Sequence, residues 1–196
     1  SDVYKRQVLD FSTLLPGPLA SLFLAETGAE VIKIERPVTG DEMRLSHPKW
    51  NDESVSFSML NRGKKSLCLD LKDKSSKDIL KPFIETADII IEQFRPGVMK
   101  RLGLDYESIK KINSKIIYVS ITGYGQTGPK KMVAGHDLNY IGNTGLLSLS
   151  MGTKGKPTVP PALIADIAGG SYPAIINILL ALRKRDLNKE GSYIDI

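Results

Sequence analysis

Residues 8–35 carry the pattern that most limits what this chain can fold into. Residues 8–12 read as a short apolar strand. Pro16-Gly17-Pro18 follows and reads as a turn, because proline cannot continue a strand ladder. Residues 19–27 have helical spacing, and Gly28 closes that helix as a C-terminal cap. Residues 30–35 then alternate as a second strand. Strand, connection, helix and strand in so short a span make a βαβ unit, which joins parallel strands. Parallel strands need both faces covered, so the rest of the chain must supply helices for two layers.

The remaining sequence continues the alternation. Residues 39–60 have weak periodicity and read as loop with a short helix, and Asn61-Arg62-Gly63-Lys64 as a turn. Strands are expected at 66–71, 89–92 and 116–122. Helices are expected at 75–86, with Ile79, Leu80, Phe83 and Ile84 on one face, and at 106–112, capped by Asp105. A shorter helix begins after Pro96-Gly97 and ends near Leu102, and 123–135 is loop. A long apolar helix is expected at 172–185, burying a stripe of Ala174, Ile175, Ile178, Leu179 and Leu182. The end, from Gly191 to Ile196, reads as one more strand. The expected fold class is α/β: an open, largely parallel, Rossmann-like sheet with helices on both faces.

In such sheets ligands bind outside the carboxyl ends of the strands. Arg36, Glu92 with Arg95, and Thr122-Gly123 fall just past those ends. Glu92 and Arg95 also suit a structural ion pair beside the site. The chain has no G-x-G-x-x-G and no G-x-x-x-x-G-K-[ST], so neither a dinucleotide fingerprint nor a P-loop is supported.

Composition narrows the function class. The net charge of +5 comes from short scattered groups: Arg62, Lys64 and Lys65; Lys110 and Lys111; Lys130 and Lys131; Arg183, Lys184 and Arg185. These read mainly as solvated surface, without the aromatic interleaving of a single-strand binder. A small polyanion accounts for the surplus as well as nucleic acid does, and no nucleic-acid partner is expected. The single cysteine, Cys68, excludes an internal disulfide and is expected to be a small core residue in Leu67-Cys68-Leu69. A reducing, cytoplasmic location fits that usage. No apolar run reaches membrane-spanning length, so no membrane partner is expected. Residues 1–7 look like a translated adaptor end, a non-native leader to a domain running from 8 to 196 that is truncated at its C-terminal end.

The chain has only two histidines, and one of them, His136, lies in Gly135-His136-Asp137-Leu138-Asn139-Tyr140. Downstream, Asp166 interrupts the apolar run Ile164-Ala165-Asp166-Ile167-Ala168 before Gly169-Gly170. A histidine titrates near neutrality and a carboxylate can serve the opposite face, so the two suit an acid/base pair. A structural His–Asp hydrogen bond with a helix-capping Asp fits the spacing equally. Backbone N–H groups at a glycine-led helix start near Gly169-Gly170 would suit a developing oxyanion. No metal-ligand spacing is present.

Several stretches together resemble the class III coenzyme A transferase superfamily. They are Leu15-Pro16-Gly17-Pro18-Leu19-Ala20, the run from Gly28 to Pro37, Asn61-Arg62-Gly63-Lys64-Lys65 with Leu69-Asp70-Leu71-Lys72, and Phe94-Arg95-Pro96-Gly97-Val98. The run from Gly123 to Pro129 and the Gly-His-Asp motif complete the series. The resemblance extends from Val8 to Ile196 and is greatest to the α-methylacyl-CoA racemase branch, which has this His and an Asp before the paired glycines.

The resemblance implies that His136 and Asp166 exchange the α-proton of a 2-methylacyl-CoA thioester. It implies coenzyme A contacts by Arg36 and Arg101 at the phosphates, Leu69 and Lys72 near the adenine, Arg95, and Asp137 and Tyr140 along the pantetheine path. Coenzyme A would be part of the substrate, with no prosthetic group. Members of the family are longer, with a second domain that adds an acidic residue, and form interlocked homodimers that share the active site. Two alternatives stand beside the racemase: a CoA-transferase in which Asp166 forms an acyl anhydride, and an inactive fragment lacking its second domain.

Overall fold

The structure is a computed structural model and describes residues 3–150, 152–153 and 155–196. The chain runs β1 (Gln7–Asp10), α1 (Pro16–Glu26), β2 (Glu30–Glu35), a hairpin of β3 (Lys49–Trp50) and β4 (Glu53–Ser54), α2 (Val55–Asn61), β5 (Lys65–Cys68), α3 (Ser76–Thr86) and β6 (Ile89–Glu92). It continues through α4 (Val98–Leu102), α5 (Tyr106–Lys110), β7 (Ile117–Ser120), α6 (Asp137–Asn143) and a hairpin of β8 (Gly152–Thr153) and β9 (Lys156–Pro157). A π-helical segment (Ala165–Ser171) leads into α7 (Tyr172–Asn188), and β10 (Ser192–Asp195) follows.

Six strands form one open sheet in the order β10-β7-β6-β1-β2-β5. Every pairing in it is parallel. The expected fold class is therefore the observed one. Successive strands β1, β2 and β5 step toward one edge, and β6 returns to the other side of β1. The gap between β1 and β6 is the topological switch point, where open α/β sheets place a crevice.

Alternation along the strands separates two cores. Ile89 and Ile91 of β6 face a layer that includes Ala20 and Leu24 of α1 and Ala174, Ile178 and Leu182 of α7. Ile90, between them, faces Leu80 and Ile84 of α3, Met99 of α4 and Ile109 of α5. These side chains are essentially inaccessible, and each large one stabilises by about 1.5–3 kcal/mol. Helices thus cover both faces, as a parallel sheet requires.

The structure corrects several expectations. Pro16-Gly17-Pro18 is the first turn of α1 and not a separate turn. Proline is tolerated there because its missing N–H would have had no helical partner. Cys68 is exposed, since β5 is an edge strand and the two-residue period turns Cys68 away from Leu67 and Leu69. Ile79 is also exposed, and Leu179 only partly covered, because each lies at the margin of its helix's apolar face. Residues 39–60 hold a 3-10 turn (Glu42–Leu45) and the β3–β4 hairpin, and α2 closes the segment.

Two charges read as surface are buried. The Arg185 side chain donates to Asp88 and to the carbonyls of Asp88 and Lys115. Lys64 donates to the carbonyl of Pro18 at 2.8 Å and to Asn61 at 2.9 Å, and pairs with Asp10 at 3.4 Å. The stretch Ala165–Asn188 is long and apolar enough to cross a membrane by length and composition. In this fold its Ala174, Ile178 and Leu182 are fully buried against the sheet. At the other end, Gln7 opens the interior strand β1 and Lys5 N–H donates to Gly28 O at 2.9 Å, so Gln7, expected to belong to a leader, pairs in the sheet. Ser1 and Asp2 of that leader lie outside the described residues.

Candidate active site

A cleft of about 440 Å³ opens at the switch point. Its walls come from the segments leaving the carboxyl ends of the strands: Thr13, Leu14 and Pro16 after β1, Gln93, Phe94 and Arg95 after β6, and Ile121 to Tyr124 after β7. His136, Tyr140 and Asp166 line the same space. The two residues singled out as an acid/base pair are therefore brought together.

Each is held by its own element. His136 is the extended residue before α6, and its N–H donates to Asn139 Oδ1 at 2.9 Å. That bond fixes the backbone where the helix begins. The Tyr140 hydroxyl donates to Gly135 O at 2.6 Å, and its ring packs edge-on to Tyr124 at 5.3 Å. A side chain at Gly123 or Gly135 would collide with that ring, which is why glycine stands at both.

Asp166 lies in the π-helical segment, a wide turn that commonly marks functional positions. Its N–H donates to Asp137 Oδ1 at 2.9 Å. The Ser171 hydroxyl donates to Pro16 O at 2.9 Å, tying the segment to α1. Gly169 and Gly170 fall inside this segment and not at a helix start, so the expected glycine-led row of free amides is not formed there. Burial raises the Asp166 carboxyl above its ordinary range, the Asp137 carboxylate adds to that rise, and His136 opposes it.

The other expected contacts separate into two groups. Arg95 and Tyr140 line the cleft. Arg36, Leu69, Lys72 and Arg101 lie outside it. Arg36 is engaged with Glu42 at 3.1 Å and with Gly40 O at 3.0 Å. Leu69 is buried, and Lys72 is exposed in the turn after β5. The Arg101 guanidinium hangs over Gly97, beside the cleft wall. Asp137 is only 5% exposed and its carboxylate faces the Asp166 amide.

Glu92 is buried and accepts the Phe94 N–H at 2.9 Å, and among the described residues it forms no ion pair with Arg95. Burial pushes its carboxyl up to about 7, with Asp195 adding to the rise.

Sequence reasoning missed Gln93, Tyr124 and Lys131 in the cleft wall. Gln93 accepts the Gly17 N–H at 3.0 Å, so it joins the end of β6 to the start of α1. Its position just past a strand end was the available signal. A buried polar cluster around β1 and β2 was also missed. Lys33 donates to Ser12 O and pairs with Asp41, each at 2.8 Å, and neighbours the Asp10–Lys64 pair. Burial would raise Asp10, but Lys33, Lys64, Ser12 and Ser21 together hold it below its ordinary value. Burial pulls the Lys64 ammonium down to about 8.

Fold and site define a parallel α/β domain with a His–Asp pair at its switch-point cleft. Residues 5–196 match the model of CoA-transferase family III, and the chain belongs to that family. It is 38% identical over 190 residues to the acetyl-CoA:oxalate CoA-transferase of Acetobacter aceti, covering 96% of this chain and 49% of that protein. It is 36% identical over 189 residues to the human α-methylacyl-CoA racemase, covering 96% and 46%. A CAIB/BAIF family protein from Brucella suis superposes with a TM-score of 0.93 at 33% identity, over all of this chain and 52% of the other. The chain spans about half the length of the relatives it matches.

Proposed function

We propose that the protein acts on acyl-CoA thioesters as a racemase, exchanging the proton α to the thioester carbonyl. The observation that carries this reading is that His136 and Asp166 face one cleft. His136, as the free base, removes the α-proton, and the electron pair passes onto the thioester oxygen as an enolate. Asp166, as the carboxylic acid, returns a proton to the opposite face of the same carbon. After one pass His136 holds a proton and Asp166 is a carboxylate, the starting state for the reverse reaction. The raised proton affinity of Asp166 suits it to this role. A 2-methylacyl group is the acyl portion the resemblance implies.

Coenzyme A would run from the cleft across the strand ends toward β5. Neighbouring strands lie about 4.8 Å apart, so β6 to β5 spans about 15 Å across the strand ends. Arg95 and Lys131 stand at the cleft end of that path, and Arg36, Leu69 and Lys72 at the far end, past β2 and β5. Arg36 would exchange Glu42 for a phosphate.

The racemase reading predicts deuterium wash-in from solvent at the α-carbon of a 2-methylacyl-CoA with no second acid present. His136→Ala should slow this by about 10²–10⁴-fold. A second reading is supported by the relatives named CoA-transferases, which match as well as the racemase does. In it the Asp166 carboxylate attacks the thioester carbonyl, the C–S bond breaks and the CoA thiolate leaves an acyl anhydride on Asp166. Hydroxylamine would trap that anhydride. A trapped adduct without α-exchange would replace the first reading with the second.

A further inference from the structure

Asp137 sits between the two reacting residues without lining the cleft. Its backbone opens α6 immediately after His136. Its carboxylate, almost wholly buried, accepts the Asp166 N–H across 29 positions of sequence. That amide is one of the donors at a helix start that lack a partner within the helix, and a carboxylate is a strong acceptor for it. One peptide bond and one hydrogen bond thus connect His136 to Asp166.

We propose that Asp137 is a positioning residue: its carboxylate holds the π-helical segment so that Asp166 faces His136, and it sets a negative charge beside the Asp166 carboxyl. The proposal rests on the reading of His136 and Asp166 as the reacting pair. The titratable groups that interact with Asp166 are Asp137, His136 and Tyr140, and Arg95 and Lys131 stand on the cleft wall. Packed against the segment, α1 presents Pro16, which accepts the Ser171 hydroxyl, and α7 continues it from Tyr172; the first charges in the α1 and α7 sequences are Glu26 and Arg183, both remote from it. Asp137 is thus the anion whose removal should register at Asp166. In two-base exchange one group must hold a proton while the other is bare, and a neighbouring fixed anion favours the proton on Asp166.

The test follows the Asp166 carboxyl carbon by NMR titration of this chain, so it needs no turnover. Asp137→Asn keeps an oxygen facing the amide and removes the charge. It should lower the Asp166 midpoint by about half a pH unit or more. An unchanged midpoint would overturn the charge role. Asp137→Ala should in addition speed hydrogen exchange of the Asp166 amide by about tenfold or more. Should either variant fail to fold, the unmodified chain decides: its Asp166 amide should exchange with solvent about tenfold or more slowly than an unstructured peptide amide, and an unprotected amide would overturn the contact.

Kinetics of the protein at its full encoded length complete the test. Asp137→Ala should reduce kcat by at least about tenfold with KM little changed, and Asp137→Asn should recover part of the loss. A raised KM with kcat intact would instead make Asp137 a pantetheine contact. Absence of α-exchange in the unmodified protein would remove the racemase reading and leave the titration result standing.

Discussion

At the scale of single residues, the buried charges near the strand ends make pH-dependent contributions of opposite sign. Glu92 has a folded value of about 7 against an ordinary 4.5. Between those values the native state keeps a proton that the unfolded chain has released. Stability therefore falls as pH rises through that window, by about 3 kcal/mol from this group. Glu92→Gln keeps an acceptor for the Phe94 N–H and cannot titrate. Urea unfolding at about pH 5 and about pH 8 should show a marked drop in the parent chain and a much smaller one in the variant. Equal drops would mean that Glu92 is solvated. Lys64 acts in the reverse sense: its depressed value makes stability rise with pH from about 8 to its ordinary 10.5. None of these groups was legible as buried from sequence, because Lys64 and Glu92 lie in turn and strand-end contexts that also occur on surfaces. His136 and Asp166 were legible, because a rare histidine beside a glycine and a carboxylate inside an apolar run are both locally unusual.

At the scale of elements, the sequence carried the strands better than the segments between them. The second and fourth expected strands, 30–35 and 89–92, are found where β2 and β6 lie, since a parallel strand is a compact apolar run. Residues 16–18 were read as a turn and Gly169-Gly170 as a glycine-led helix start; the structure instead uses Gly17 and Gly170 for close packing between elements. Gly17 shows this most directly. A Cβ on it would lie 2.2 Å from Ser12 Cβ and 2.9 Å from Gln93 Oε1. Gly17→Ala must therefore push α1 away from β1 and disturb the Gln93 contact that shapes the cleft wall. Such overpacking destabilises by about 1–3 kcal/mol. Thermal unfolding should shift down, while Gly128→Ala, at a loop position with open space, should serve as a control for strain from positive φ alone. An unchanged Gly17→Ala unfolding curve would show that the α1 start is not as tightly seated as the structure has it.

At the scale of the whole molecule, the uneven burial of α7 is the main departure from a self-sufficient domain. Its inner face is sealed, with Ala174, Ile178 and Leu182 inaccessible, while Ile176 is 56% and Leu180 59% exposed. Leu149, Val159 and Leu163 add exposed apolar surface in the segment before it. Single exposed apolar residues are ordinary, but this concentration in one stretch of chain is not what a lone domain needs. The chain also spans about half the length of the relatives it matches. If this face is meant to be covered, the chain alone should bind a hydrophobic dye and self-associate with rising concentration in sedimentation. The paired change Ile176→Lys and Leu180→Lys should suppress both. Because neither side chain is in the core, it should alter stability by no more than about 0.5 kcal/mol each. A chain that stays monomeric and dye-free before any substitution would show that the outer face of α7 is simply surface. Loss of stability beyond that range would show that these side chains help hold the domain itself. Suppressed association with unchanged stability would mark the face as an association surface.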